Sequence, residues 1–161
     1  MQLPGTPDAV APDGSAVRVL LQLGRGSMAH FELGAGQVSR PVAHHSVDEI
    51  WYILHGHGQM WRRQAQRQET VALGAGTCVS IPVGTHFQFR ADSSGPLAAV
   101  GVTMPPWPGD DEAYEVPGAW PASPLTRSGP DWLRGEARPG AQGVTSSCIR
   151  GAGPNLVASS R

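Results

Sequence analysis

Four side chains in the first hundred residues could move protons or hold a ligand: His44, His45, Glu49 and His86. Glu49 opens an otherwise apolar run, Glu-Ile-Trp-Tyr-Ile-Leu. A carboxylate buried in such a run is costly unless something answers it, so Glu49 is expected in a pocket, with whichever of His44 and His45 faces inward. An imidazole beside a carboxyl group is the equipment of general acid–base catalysis, and Glu49 and His86 are the catalytic candidates. Trp51 lies two residues after Glu49 and shares its face of a strand, where it fills the core or walls the pocket. His55 and His57 flank Gly56 in a turn and are expected at the surface. His30 alternates with apolar neighbours and reads as structural. Arg62 and Arg63 read as a solvated strand end.

Composition removes several other chemistries. All twelve basic residues are Arg and none is Lys, so no lysine Schiff base or lysine general base can form. That bias, with abundant Gly, Ala and Pro, points to a GC-rich bacterial genome. Cys78 and Cys148 are too few for a disulfide framework and lack zinc-site spacing. Cys78, inside an apolar run, is expected to be a small core residue. There is no phosphate-binding glycine loop, nucleophile elbow or Cys-His dyad. A net charge of −1 gives no footing for nucleic acid. The first fourteen residues lack the basic patch and apolar stretch of a secretory signal, and no apolar run approaches the ~20 residues that span a bilayer. A cytoplasmic protein without membrane partners is expected.

The elements that must position these residues are short strands. The 161 residues suffice for one domain. Strand patterns run over 17–23, 28–33, 38–44, 49–54, 59–62, 69–73, 77–81, 87–90 and 97–103, separated by glycine-rich turns. That rhythm predicts an all-β sandwich or barrel. Residues 1–15 are expected to be a flexible segment and 16–104 the barrel. Pro105-Pro106-Trp107-Pro108-Gly109 cannot continue a strand. Residues 105–121 still carry Trp107, Tyr114, Val116 and Trp120, and are expected to pack across the barrel as an ordered, irregular arm. Residues 122–161 have no apolar periodicity, and their Gly, Ser, Pro, Ala and Arg predict a disordered low-complexity tail.

Two motifs carry a resemblance to a known family. His44-His45-Ser-Val-Asp-Glu49 is followed, after six residues, by Gly56. Gly76-Thr-Cys-Val-Ser-Ile-Pro82-Val-Gly84-Thr-His86 has the pattern Gly-x5-Pro-x-Gly with a histidine shortly after. In this order the pair resembles the two motifs of the cupin superfamily, over residues 16–104, and looks like a small single-domain bacterial cupin. The resemblance implies a double-stranded β-helix, or jelly-roll barrel, and a homodimer formed by strand exchange or edge pairing. It also implies a divalent iron, manganese, nickel or zinc ion on His44, His45, Glu49 and His86, since three imidazoles and a carboxylate suit such metals and leave positions open.

The chain departs from the family pattern twice. With three residues between it and Glu49 the second histidine is His45, whose partner position is Ala43; with four it is His44, whose partner position is Val42. One expected imidazole is missing either way. In the second motif Phe87 occupies the usual histidine position and His86 stands one place early. A one-residue shift turns a strand side chain to the other face. Either Phe87 and Phe89 face inward, or His86, Gln88 and Arg90 do. Trp51, Phe87, Phe89 and Gln88 are the candidate pocket residues under these alternatives. Three functions stay open: a metal-dependent oxygenase, isomerase or lyase acting on a small oxygenated compound; a metal-free module binding a small ligand; and a metal-free acid–base enzyme.

Overall fold

The computed structural model describes residues 1–124. The expected tail lies outside the described residues from 125 onward, and Cys148 with it. Eleven strands follow one another: β1 (Ala9–Val10), β2 (Ala16–Leu23), β3 (Gly26–Leu33), β4 (Val42–His44), β5 (Asp48–His55), β6 (His57–Gln64), β7 (Arg67–Gly74), β8 (Cys78–Ile81), β9 (His86–Ala91), β10 (Leu97–Met104) and β11 (Ala113–Glu115). A single 3-10 turn, Asp110–Glu112, precedes β11 among the described residues. Among those residues no helix is long and apolar enough to cross a membrane.

The strands form two antiparallel sheets, one ordered β1-β2-β3-β10-β5-β8 and the other β11-β4-β9-β6-β7. The chain is an all-β double-stranded β-helix, as its motifs predict. Strand β5 shows how the sequence builds it. Glu49, Trp51 and Ile53 are buried while Ile50, Tyr52 and Leu54 are exposed, the period-two alternation of a strand with one face on a core. Strand β9 likewise buries Phe87, Phe89 and Ala91, and these meet Trp51, Ile53, Met60, Leu73 and Ile81 between the sheets. Gly56 joins β5 to β6 with a φ of +82°, and a Cβ there would stand 2.1 Å from the Pro96 carbonyl oxygen. Only glycine meets both demands.

Two expectations need correction. Cys78 is exposed, because in β8 it is Val79 and Ile81 that point inward. Within residues 1–15, where the sequence predicts a flexible segment, the chain forms β1 and buries Asp13 and Ser15. The Asp13 carboxylate accepts hydrogen bonds from the Ser15 backbone N–H (2.8 Å) and hydroxyl (2.7 Å).

The arm after β10 is tied down by polar contacts. Glu112 accepts from the backbone N–H groups of Ser46 and Val47 and from the Ser46 hydroxyl. Gln88, with none of its surface exposed, makes four bonds on the outer face of β9. Its amide N–H groups donate to the carbonyls of Ser39 and Trp120, and its side-chain oxygen accepts from the backbone of Ala119 and Trp120. Arg90 lies 4.4 Å over the Trp120 ring.

Candidate functional site

His44 ends β4 and Glu49 stands at the second position of β5, so a short turn returns both to the space between the sheets. They are 4% and 3% exposed, and His44 Nδ1 lies 3.8 Å from Glu49 Oε2. That separation exceeds a hydrogen bond. Neither His44 Nδ1 nor Glu49 Oε1 has a hydrogen-bond partner among the described residues. Both residues line a cavity of about 290 Å³. Its aromatic wall is Phe31, Trp51, Phe87 and Trp107. Phe31 stacks on Trp51 at 5.2 Å, and His44 is met edge-on by Phe87 at 5.2 Å and by Trp107 at 5.3 Å. Gly101 of β10 makes the room: a Cβ there would come within 2.7 Å of Glu49 Oε1 and 2.6 Å of the Phe31 ring.

Burial drives the two ionisable groups apart. Loss of hydration pushes the Glu49 carboxyl up to about 8; the Trp51 indole opposes part of this and the nearby Asp13 adds to it. The indole N–H does so without closing a hydrogen bond of ordinary geometry. Burial lowers His44 to about 4, against a weaker pull from Glu112. At neutral pH the site therefore holds a carboxylic acid beside an uncharged imidazole. One can donate a proton while the other accepts one.

The other expected site residues lie elsewhere. His45 is exposed and stacks on Tyr114 with ring centres 4.3 Å apart. His86 is on the outer face of its sheet, where Arg63 approaches its Nδ1 at 3.0 Å. Burial and the Arg63 charge lower its pKa. No bulge re-aims His86, because β9 pairs with β6 in continuous register from His86 to Ala91. The inward register belongs to Phe87 and Phe89. Phe87 lines the cavity, whereas Phe89 packs edge-on against Trp51 at 4.9 Å as core. Gln88 is no pocket residue: it clamps the arm on the opposite face.

The four-ligand set fails on this geometry. Only His44 and Glu49 of the four expected ligands line the cavity, and among the described residues no group of three or more His, Cys, Asp or Glu is placed to hold a metal ion. Two donors fall short of the three or four protein ligands usual for a catalytic metal.

Sequence reasoning passed over three cavity residues. Trp107 follows two prolines in a segment read only as an arm, although a tryptophan among prolines has nothing local to pack on. Gly101 interrupts a β-branched strand, a known sign of close approach. Asp13 sits in Pro-Asp-Gly-Ser, a turn signal, and nothing local says that the turn faces a cavity.

Known proteins match the chain in fold. KdgF from Halomonas sp. superposes with a TM-score of 0.52 at 18% identity, covering 61% of this chain and 83% of that one. A PAC13 variant from Streptomyces, with uridine, gives 0.53 at 14% identity, covering 65% and 80%. A Klebsiella pneumoniae protein described by its double-stranded β-helix domain gives 0.52 at 16%, covering 65% and 85%. At such identities the likeness is one of fold. No curated protein matches the chain. The family model of the cupin domain matches residues 29–103, from β3 to the end of β10. Over that span the chain is similar to the cupin domain, and its two antiparallel sheets, closing on a polar pair at the positions of the first motif, share the fold of these solved structures.

Proposed function

We propose that the chain binds a small oxygenated molecule in the barrel cavity and that His44 and Glu49 engage it as a metal-independent acid–base pair. The observation that carries this reading is the pair of orphaned atoms, His44 Nδ1 and Glu49 Oε1, both buried and both belonging to residues that line the cavity. Buried polar groups are ordinarily satisfied, and a ligand hydroxyl or carbonyl would satisfy these.

Among the reactions considered, the donor set favours an isomerase or lyase. Both take a proton at one atom and return one at another. The neutral His44 would accept a proton from carbon or oxygen of the substrate, and the Glu49 carboxyl would donate one to the departing or rearranging oxygen. Pac13, of similar fold, is described as a nucleoside dehydratase, and loss of water from a substrate has this same requirement. A non-catalytic module is the second reading, favoured by Phe87 at the position where the family usually places a metal-binding histidine.

Elemental analysis of the purified full chain, beside Glu49→Ala, tests the proposal. Substoichiometric metal, with no rise in melting temperature on adding divalent ions, is expected. Near-stoichiometric metal that disappears in Glu49→Ala overturns it and restores a partial Fe, Mn, Ni or Zn site. The homodimer belongs to the same proposal. Strand β1 pairs only with Ala16 and Val17 of β2, while Leu21 and Leu23 further along β2 are exposed. An unpaired strand edge is a surface for a second copy, and light scattering would report the mass.

A further inference from the structure

We infer that this cavity, read as the ligand site proposed above, admits uncharged ring-bearing alcohols or carbonyl compounds and turns anions away. The argument begins with where the charges are. The ionisable residues on the cavity wall are Asp13, His44, Glu49 and Asp110. Among the described residues no arginine lines it, and the sequence has no lysine. Several arginines are committed to other partners: Arg18 to the Pro4 carbonyl, Arg40 to Glu115, Arg62 to Glu69, and Arg90 to Gln59.

A carboxylate or phosphate entering this space would shed its hydration and find no guanidinium or ammonium to replace it. It would also pass Asp110, which lines the cavity and is exposed. The wall hydroxyls offer little, because the Ser27 and Thr103 hydroxyls bond each other at 2.7 Å and Ser27 also accepts from the Trp107 backbone N–H. A cation fares no better. The Asp13 carboxyl oxygen is already held by the Ser15 backbone N–H and hydroxyl, and burial pushes Glu49 up to about 8, so neither inward carboxyl stands free as a carboxylate for a cation. What remains is a flat apolar wall and one unpaired donor–acceptor couple. A ring bearing one hydroxyl or carbonyl fits both.

Benzyl alcohol, benzoate and benzylammonium share a shape and differ in charge. Each would be titrated into the full chain at neutral pH and constant ionic strength, following the indole N–H resonances of Trp51 and Trp107. The alcohol is expected to shift both, and the two ions to bind at least roughly tenfold more weakly. Val19→Arg adds a cation at a cavity position that is half exposed and should bring benzoate to within about threefold of the alcohol. Benzoate or benzylammonium binding as tightly as the alcohol to the native chain overturns the inference, as does an alcohol that leaves both indoles unmoved. Stoichiometric metal would end the metal-independent reading, whereas the order of affinities is read on metal-free protein, so the two can fail separately.

Discussion

Gln88 and the His44–Glu49 pair are polar groups buried to the same degree and treated in opposite ways. Gln88 lies on the outer face of β9, and its amide is saturated by four hydrogen bonds to β9's neighbours and the arm. His44 and Glu49 lie between the sheets, 3.8 Å apart, each with an atom that has no partner among the described residues. A polar group kept for architecture is satisfied by the fold, because an unsatisfied one costs stability. A polar group that the fold leaves open spends stability on something outside the fold. The contrast gives a structural role to a residue that the sequence placed in the pocket, and leaves the pair unsatisfied on the cavity wall.

Breaking the saturated side should have the largest effect. Gln88→Leu strands several partly buried backbone groups, and a loss of about 3 kcal/mol is expected in urea unfolding. Limited proteolysis should then cut between residues 105 and 124 faster than in the native chain.

The open side shows itself through pH. Glu49 rises from 4.5 to about 8 on folding, so between those values the folded chain holds a proton that the unfolded chain has released. Its stability contribution therefore falls as pH rises. His44 drops from 6.5 to about 4 and acts in the opposite sense below pH 6.5, so the two nearly cancel there. Between pH 6.5 and 8 the Glu49 slope stands alone, and a decline of about 2 kcal/mol is expected. Glu49→Gln should flatten that segment; a slope that persists in the variant would assign it to another group.

Replacing the carboxyl by an apolar group of similar size sharpens the comparison further. Glu49→Met should leave stability unchanged or raise it by about 1 kcal/mol, since an unpaired buried polar group is exchanged for packing. Benzyl alcohol binding should fall in the same variant. The smallest effect is expected for His86→Ala, within about 0.5 kcal/mol and without consequence for ligand, because its imidazole touches Arg63 on the far face.

Much of the barrel was legible because its signals are local. The alternation in β5 and the glycines at 56, 76 and 84 mark strands and turns without reference to anything distant. Glu49 and His44 were legible for the same reason: a polar residue beside a buried run announces its cost. The facing of β9 was open, since His-Phe-Gln-Phe-Arg alternates equally well in either register, and only pairing with β6 and the packing of Phe87 against His44 decides it. Gln88 misled because its partners, Ser39, Ala119 and Trp120, are more than thirty residues away. Strands β1 and β11 escaped notice because two or three residues carry no period.

Part of the cavity wall comes from the stretches around residues 9–13 and 107–113, which flank the matched span of 29–103. The proposed acid–base pair, His44 and Glu49, thus lies inside the matched segment, while much of the cavity wall is written at its margins. Anyone redesigning this protein for a new compound could leave the engine alone and recast the margins. A tag or truncation near Ala9 would change the cavity wall without touching His44 or Glu49.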